Sequence, residues 1–162
     1  MKNILSILGF FVFLGTLSAQ TDIANARTFG IGQTVTITGV ATNGSELGPI
    51  RYMQDGTAGL AAYGGPIGSV SRGDSITVTG PLIEFSGLLE VSPVTNVVNH
   101  GPANVQPTPL QIPITSVNES LEAQLTEIQN VTFVEVGNFA GNSTYTIFDG
   151  VNSLDVRVNS GT

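Results

Sequence analysis

Short runs of alternating apolar and polar residues follow one another closely between residues 34 and 94. Such a two-residue period is typical of β-strands that bury one face and expose the other to water. A single helical turn is predicted before these runs, at residues 22–27 with Asp22 as its N-cap. The alternation predicts five strands, at residues 34–42, 50–55, 59–63, 75–85 and 88–94.

A glycine interrupts the first predicted strand. Val35 and Ile37 share one face, whereas Val40, after Gly39, falls out of that phase. A slip of one residue at a glycine indicates a β-bulge or a sharp bend. A strongly bent first strand followed by four short strands predicts a small all-β barrel.

Prolines separate this region from the rest of the chain. Their fixed φ and missing N–H oppose a regular sheet and favour an extended spacer. The sequence therefore predicts a linker at residues 99–113 between a first domain, residues 20–98, and a second, residues 114–162. The prolines of the predicted linker are Pro102, Pro107, Pro109 and Pro113.

The second half of the chain resembles the first. Residues 33–40 align with residues 124–131, and residues 52–56 align with residues 146–150, including a shared Asp-Gly pair. An internal repeat of this kind carries more weight than any single motif. The second copy has counterparts of only the first three strands, so the sequence predicts a partial repeat that stops after its third strand.

A short helix is predicted just before the second copy, at residues 115–124. Ser116 is the expected N-cap, and Glu119, three residues later, completes a capping box.

The first nineteen residues have the order of a secretory signal peptide. Lys2 precedes an apolar stretch at residues 4–17, and small residues follow as far as Ala19. The stretch is shorter than the roughly 20 residues that span a membrane. We therefore expect cleavage after Ala19, an extracellular or cell-surface location, and no membrane span in the mature chain; the alternative is a buried N-terminal helix.

Composition limits the chemistry. The chain has no cysteine, and its one histidine, His100, falls in the predicted linker. A zinc site or a Ser-His-Asp triad would lack its parts, so we expect neither a metal, nor a cofactor, nor enzymatic activity. Without residues 1–19, four arginines face twelve acidic residues, a net charge of −8. Such a surface repels phosphate backbones and argues against nucleic acid as a partner.

Three segments together resemble a known family. Residues 52–63, 73–80 and 84–91, after a bent first strand, are similar to the OB-fold repeats of secreted bacterial multidomain proteins. Those repeats often lie beside extracellular nuclease, phosphoesterase or sorting domains. The resemblance implies tandem OB-fold-like five-stranded Greek-key barrels, the second truncated after its third strand. It also implies that ligands bind on strands 2 and 3 and on the adjoining loops.

This architecture assigns a face to each side chain of strands 2 and 3. Met53, Leu60 and Ala62 belong to the inward set. Two tyrosines on the outer face can stack on a base, a sugar or a peptide; alternatively, they are cross-strand partners that cover a half-wet sheet. The outward set contains Ala61 and the candidate ligand-binding residues Tyr52, Gln54 and Tyr63.

Two pairs of carboxylates are explained by local structure. Glu84 and Glu90 flank a predicted Ser-Gly turn, where we interpret them as solvated edge charges rather than a catalytic pair. Asp55 and Asp149 precede glycine at equivalent positions, which is typical of tight turns.

The sequence thus favours a secreted, non-enzymatic OB-fold binding or spacer module of a larger extracellular protein. A carbohydrate or a protein ligand is compatible with its charge. The rival hypothesis is an accessory nucleic-acid-binding domain of a secreted nuclease, against which the scarcity of basic residues argues.

Overall fold

The computed structural model describes residues 20–160, so the predicted signal peptide lies outside the described residues. β-strands dominate, and the predicted all-β class is confirmed. A four-residue helix, α1 (Ile23–Ala26), begins at Asp22, whose side chain accepts a hydrogen bond from the Asn25 N–H (2.7 Å) as the predicted N-cap. The strands that follow are β1 (Thr34–Ala41), β2 (Ile50–Gln54), β3 (Gly59–Tyr63), β4 (Asp74–Phe85), β5 (Leu88–Val91) and β6 (Asn96–Pro102).

The first five strands form a closed circuit of hydrogen-bonded neighbours. β1 pairs antiparallel with both β2 and β4, and β2 pairs antiparallel with β3. β3 pairs parallel with β5, and β5 returns to β4 in an antiparallel hairpin. Each of these strands therefore has a partner on both edges.

The apolar core lies on the inner side of this circuit. Alternate residues are buried along β1, β2 and most of β4, as the two-residue period requires. In β3 the four residues 59–62 are all buried, including Ala61 of the predicted outward set. The predicted inward residues Met53, Leu60 and Ala62 are all fully buried. The helix α1 adds Ile23 and Ala26 to the same cluster.

Of the two alternatives predicted at Gly39, a β-bulge or a sharp bend, the β-bulge is wrong. The register between β1 and β4 runs without interruption from Thr34 to Val40, and burial alternates strictly through the glycine. Gly39 takes an inward position where a Cβ would lie 2.8 Å from the backbone oxygen of Gln54. The glycine thus allows β2 to approach β1 closely, and Val40 points outward because its neighbour occupies the inward place.

The predicted linker begins too early. Residues 96–102 form β6, which pairs antiparallel with the 74–79 part of β4. This pairing satisfies backbone groups on the edge of β4 that faces away from β1, and Pro102 stands at the last position of the strand. His100 is accordingly a strand residue, and its Nε2 lies 2.9 Å from the Thr77 hydroxyl.

The rest of the described chain forms two smaller sheets. Their strands are β7 (Leu110–Gln111), β8 (Thr126–Glu127), β9 (Thr132–Phe133), β10 (Ser143–Phe148) and β11 (Ser153–Val158). The first sheet pairs β7 with β8 in parallel, and the second has the strand order β11-β10-β9 with antiparallel pairing.

Two local predictions for this half are wrong. The helix expected at residues 115–124 is replaced by two 3-10 turns, Ile114–Ser116 and Glu119–Leu121. Asn118, not Ser116, caps the second turn by accepting a hydrogen bond from the Ser120 N–H. Asn and Ser compete with the helix here by bonding to nearby backbone groups.

The two Asp-Gly turns are built alike. The Asp55 Oδ1 atom accepts hydrogen bonds from the N–H groups two and three residues later, at 2.7 and 3.1 Å. The Asp149 Oδ1 atom does the same at 2.8 and 2.6 Å. Their interpretation as turn residues is therefore confirmed, and the two turns make the same pair of backbone hydrogen bonds.

Candidate ligand-binding face

The two aromatic residues predicted to bind a ligand lie on the outer face but do not stand directly opposite each other. Tyr52 stands opposite Ala61, and Tyr63 stands opposite Ile50. The tyrosines are therefore diagonal cross-strand neighbours rather than a directly opposed pair. They occupy successive rows of the same face, so each has its own surroundings.

Residues 119–125, which we call the docking segment, cover one end of this face. The Leu125 N–H donates a hydrogen bond to the Gln54 Oε1 atom at 2.7 Å. The Glu122 carboxylate accepts one from the Leu89 N–H at 3.3 Å. The segment thus contacts both β2 and β5 from outside the sheet.

An ion pair holds the same segment against the helix α1. The Arg27 guanidinium lies 3.0 Å from the Glu122 carboxylate, and both side chains are about 85% buried (16% and 13% exposed). Arg27 also donates to the backbone oxygens of Gly59 (2.9 Å) and Glu119 (3.4 Å). A charged hydrogen bond shielded from water in this way is stronger than one on an open surface.

Gly59 permits the close approach of the docking segment. A Cβ at this position would lie 2.4 Å from the backbone carbonyl atoms of Ala123. No side chain fits there, so only glycine allows the segment to sit on β3 in this way.

The docking segment changes the surroundings of Tyr52. Burial raises the pKa of its phenol, and the negative charges of Glu122 and Glu90 raise it further. Tyr52 lines a shallow depression together with residues 122–125 rather than standing open to a ligand.

An open cavity of about 430 Å³ lies beside the covered end. The strand register builds it: Ile83 stands opposite Glu90, and Phe85 stands opposite Leu88 across the β4–β5 turn. Tyr63 and Phe85 remain 45% and 65% exposed at its rim. Its lining consists of Ile50, Tyr63, Ile83, Phe85, Leu88, Glu90 and Ser92.

Glu90 is the buried acidic group of this cavity. Only 5% of the residue is exposed, so its interpretation as a solvated edge charge is wrong, whereas Glu84 is exposed as expected. Burial raises the pKa of the Glu90 carboxyl, and a hydrogen bond with the Ser92 side chain offsets part of this effect. The cause is the parallel pairing of β5 with β3, which places Glu90 beside Ala61.

The three predicted residues are thus separated by the tertiary structure. Tyr63 lines the open cavity, Gln54 bonds to the docking segment, and Tyr52 lies partly beneath it. Sequence reasoning missed Phe85 and Glu90 as cavity residues. A two-residue turn at residues 86–87 places Phe85 opposite Leu88, and Glu90 lies two residues after Leu88 on the same face. The sequence pattern could therefore have indicated that Phe85 and Glu90 share a face.

Within residues 20–160, no three His, Asp or Glu side chains converge as metal ligands would. No helix in the same range has the length and apolar character needed to cross a membrane.

Comparison with known proteins finds no family model, no curated protein and no solved structure that matches this chain.

Proposed function

We propose that this chain is a secreted, non-enzymatic binding module with an OB-fold, and that its ligand surface is the open cavity on the outer face. The circuit of β1 to β5 supports this, because the OB-fold is a five-stranded Greek-key barrel whose ligands bind on strands 2 and 3 and on the loops joining strands 1–2 and 4–5. The predicted signal peptide at residues 1–19 supports export.

One observation carries the proposal. Two exposed aromatic rings, Tyr63 and Phe85, border a mostly apolar cavity that contains a buried carboxyl, Glu90. Cavities that combine an apolar lining with a few convergent polar groups are the usual form of a small ligand site. The cavity also lies between the start of β2 and the β4–β5 turn, where the OB-fold places its ligands.

The sheet of β9, β10 and β11 supports a partial second OB-fold copy. Its central hairpin ends in the Asp149 turn, which matches the Asp55 turn of the first copy. Ile147, which aligns with Met53, is likewise buried. Phe133 is 44% exposed, which fits a copy that lacks its last two strands.

The positions of the arginines argue against the nucleic-acid alternative. Arg27 and Arg72 are paired with Glu122 and Glu46. Arg51 is fully buried and donates to backbone oxygens, among them that of Val70 (2.8 Å). A groove that binds phosphates needs several accessible cations in a row, and the outer face does not offer them among the described residues.

Binding to arrays of oligosaccharides and peptides, with single-stranded oligothymidylate as a further probe, tests the proposal. We expect at least one glycan or peptide to bind, and Tyr63→Ala to weaken that binding by about tenfold or more, as the loss of an aromatic anchor does. Phe139→Ala is the matched control, because Phe139 is 48% exposed and packs against Phe133 instead.

Equal loss of binding in both variants would contradict the assignment of the cavity. Binding of the oligothymidylate with a Kd below about 10⁻⁶ M, the tight end of non-specific binding, would favour the nucleic-acid alternative instead.

A further inference from the structure

We propose that the cavity binds a lysine side chain of a protein partner, with the ammonium group beside Glu90 and the alkyl stem between Tyr63 and Phe85. This inference rests on the proposed function, since it names the ligand of the same cavity. Three properties of the cavity lead to it.

The first property is an acid with no basic partner. Glu90 is 5% exposed, and it takes part in neither of the ion pairs found among residues 20–160, which are Arg27–Glu122 and Arg72–Glu46. A buried carboxylate is costly unless an opposite charge or a set of hydrogen bonds compensates it. Ser92 supplies a hydrogen bond but no opposite charge, and a cation supplied by a ligand would compensate the charge that remains.

The second property is the shape of the walls. Tyr63 and Phe85 present exposed rings, and a ring face attracts a cation within about 6 Å. Ile50, Ile83 and Leu88 provide the apolar surface against which the four methylene groups of a lysine can pack. Lysine combines a point charge with such a stem, which suits a cavity with one acid at its apolar base.

The third property is the sign of the surrounding field. Glu90 and Glu122 both act on the Tyr52 phenol, so the outer face is locally negative. The chain without residues 1–19 carries a net charge of −8, which attracts cations and speeds their association. Among the residues that line the cavity, Glu90, Ser92 and Tyr63 alone carry polar side-chain atoms, which are few for the many hydroxyls of a sugar.

The test is an NMR titration of the ¹⁵N-labelled chain, residues 20–162, with two capped tripeptides, Gly-Lys-Gly and its norleucine counterpart. Norleucine keeps the apolar stem and removes the charge. We expect the lysine peptide to shift the amide resonances of Tyr63, Phe85 and Glu90. The norleucine peptide should bind about tenfold more weakly, because it leaves the carboxylate unpaired.

Glu90→Gln and Glu84→Gln form a matched pair of variants. Each removes one negative charge, but Glu84 alternates with Ile83 and Phe85 along β4 and does not line the cavity. Glu90→Gln should weaken lysine binding about tenfold and Glu84→Gln less than about twofold. Thermal unfolding of both variants verifies that they fold.

Equal weakening by the two variants would show that the general field attracts the peptide, and would overturn the assignment to Glu90. Equal binding of norleucine and lysine would overturn it as well. Tighter binding of free n-butylammonium than of the lysine peptide would contradict a protein partner. If a neutral glycan alone shifts the cavity resonances, the lysine assignment fails and the proposed function stands; if none of these probes shifts them, both fail.

Discussion

Replacement of Gly59 by alanine should release the docking segment from the outer face. The new Cβ would lie 2.4 Å from the backbone carbonyl atoms of Ala123, whereas ordinary contact begins at 3.4 Å. The segment must therefore move outward by about 1 Å, because the obstacle is backbone rather than a flexible side chain.

The size of the effect follows from the contacts that such a shift breaks. The hydrogen bond from the Leu125 N–H to Gln54, now 2.7 Å, would lengthen beyond hydrogen-bonding distance. A neutral bond of this kind contributes about 1 kcal/mol, and the bonds to the Glu122 carboxylate contribute more. Overpacking typically costs about 1–3 kcal/mol, so opening of the segment should become easier by about 5- to 150-fold.

Amide hydrogen exchange of Leu125 measures this opening directly. The matched control is Gly56→Ala in the adjoining β2–β3 turn, where a Cβ would meet nothing within 4 Å. We expect Gly59→Ala to accelerate Leu125 exchange by the stated factor and Gly56→Ala to leave it unchanged, with the amides of β1 protected in both. Equal exchange of Leu125 in the two variants would refute the argument that the glycine is needed for docking.

Four further predictions concern Asp55, Glu90 and the N-terminus. Asp55→Ala should lower the free energy of unfolding, measured by urea titration, by about 2–4 kcal/mol, because the carboxylate also accepts a hydrogen bond from the Ile23 N–H (2.9 Å). Asp149→Ala, in an exposed turn, should lower the free energy of unfolding by less in the same measurement. Burial raises the pKa of Asp55, but hydrogen bonds from Thr57 and nearby amides outweigh it and lower that pKa overall; the stability advantage over Asp55→Asn should therefore be present above about pH 4 and be lost as the pH falls through the lowered pKa. The pKa of Glu90 is raised, so the stabilising contribution of its protonated carboxyl is fully present below about pH 4 and is lost as the pH rises through the raised pKa. The midpoint of thermal unfolding of Glu90→Gln should therefore increase relative to that of the wild type between pH 4 and pH 7. A difference that stays constant over this range would contradict the prediction. N-terminal sequencing of the exported protein should begin at Gln20, and a start at Met1 would show that residues 1–19 are retained.

Local patterns were sufficient for much of the strand content. β3 was predicted with its observed bounds, and the other four strands of the circuit deviate by one to three residues at their ends. The inward set of Met53, Leu60 and Ala62 follows from the two-residue period alone. The Asp55 turn and the Asp22 cap also depend on neighbouring residues, so the sequence predicts them without knowledge of the fold.

Long-range contacts determined the rest. Gln54 and Leu125 are 71 residues apart, and Arg27 and Glu122 are 95 apart, so no periodic signal connects them. The docking segment, the pairing of β6 and the burial of Glu90 each depend on which edge or face another part of the chain covers. For that reason the sequence identifies Tyr52, Gln54 and Tyr63 as one outer face, whereas the packing of distant segments leaves only Tyr63 of the three in the open cavity.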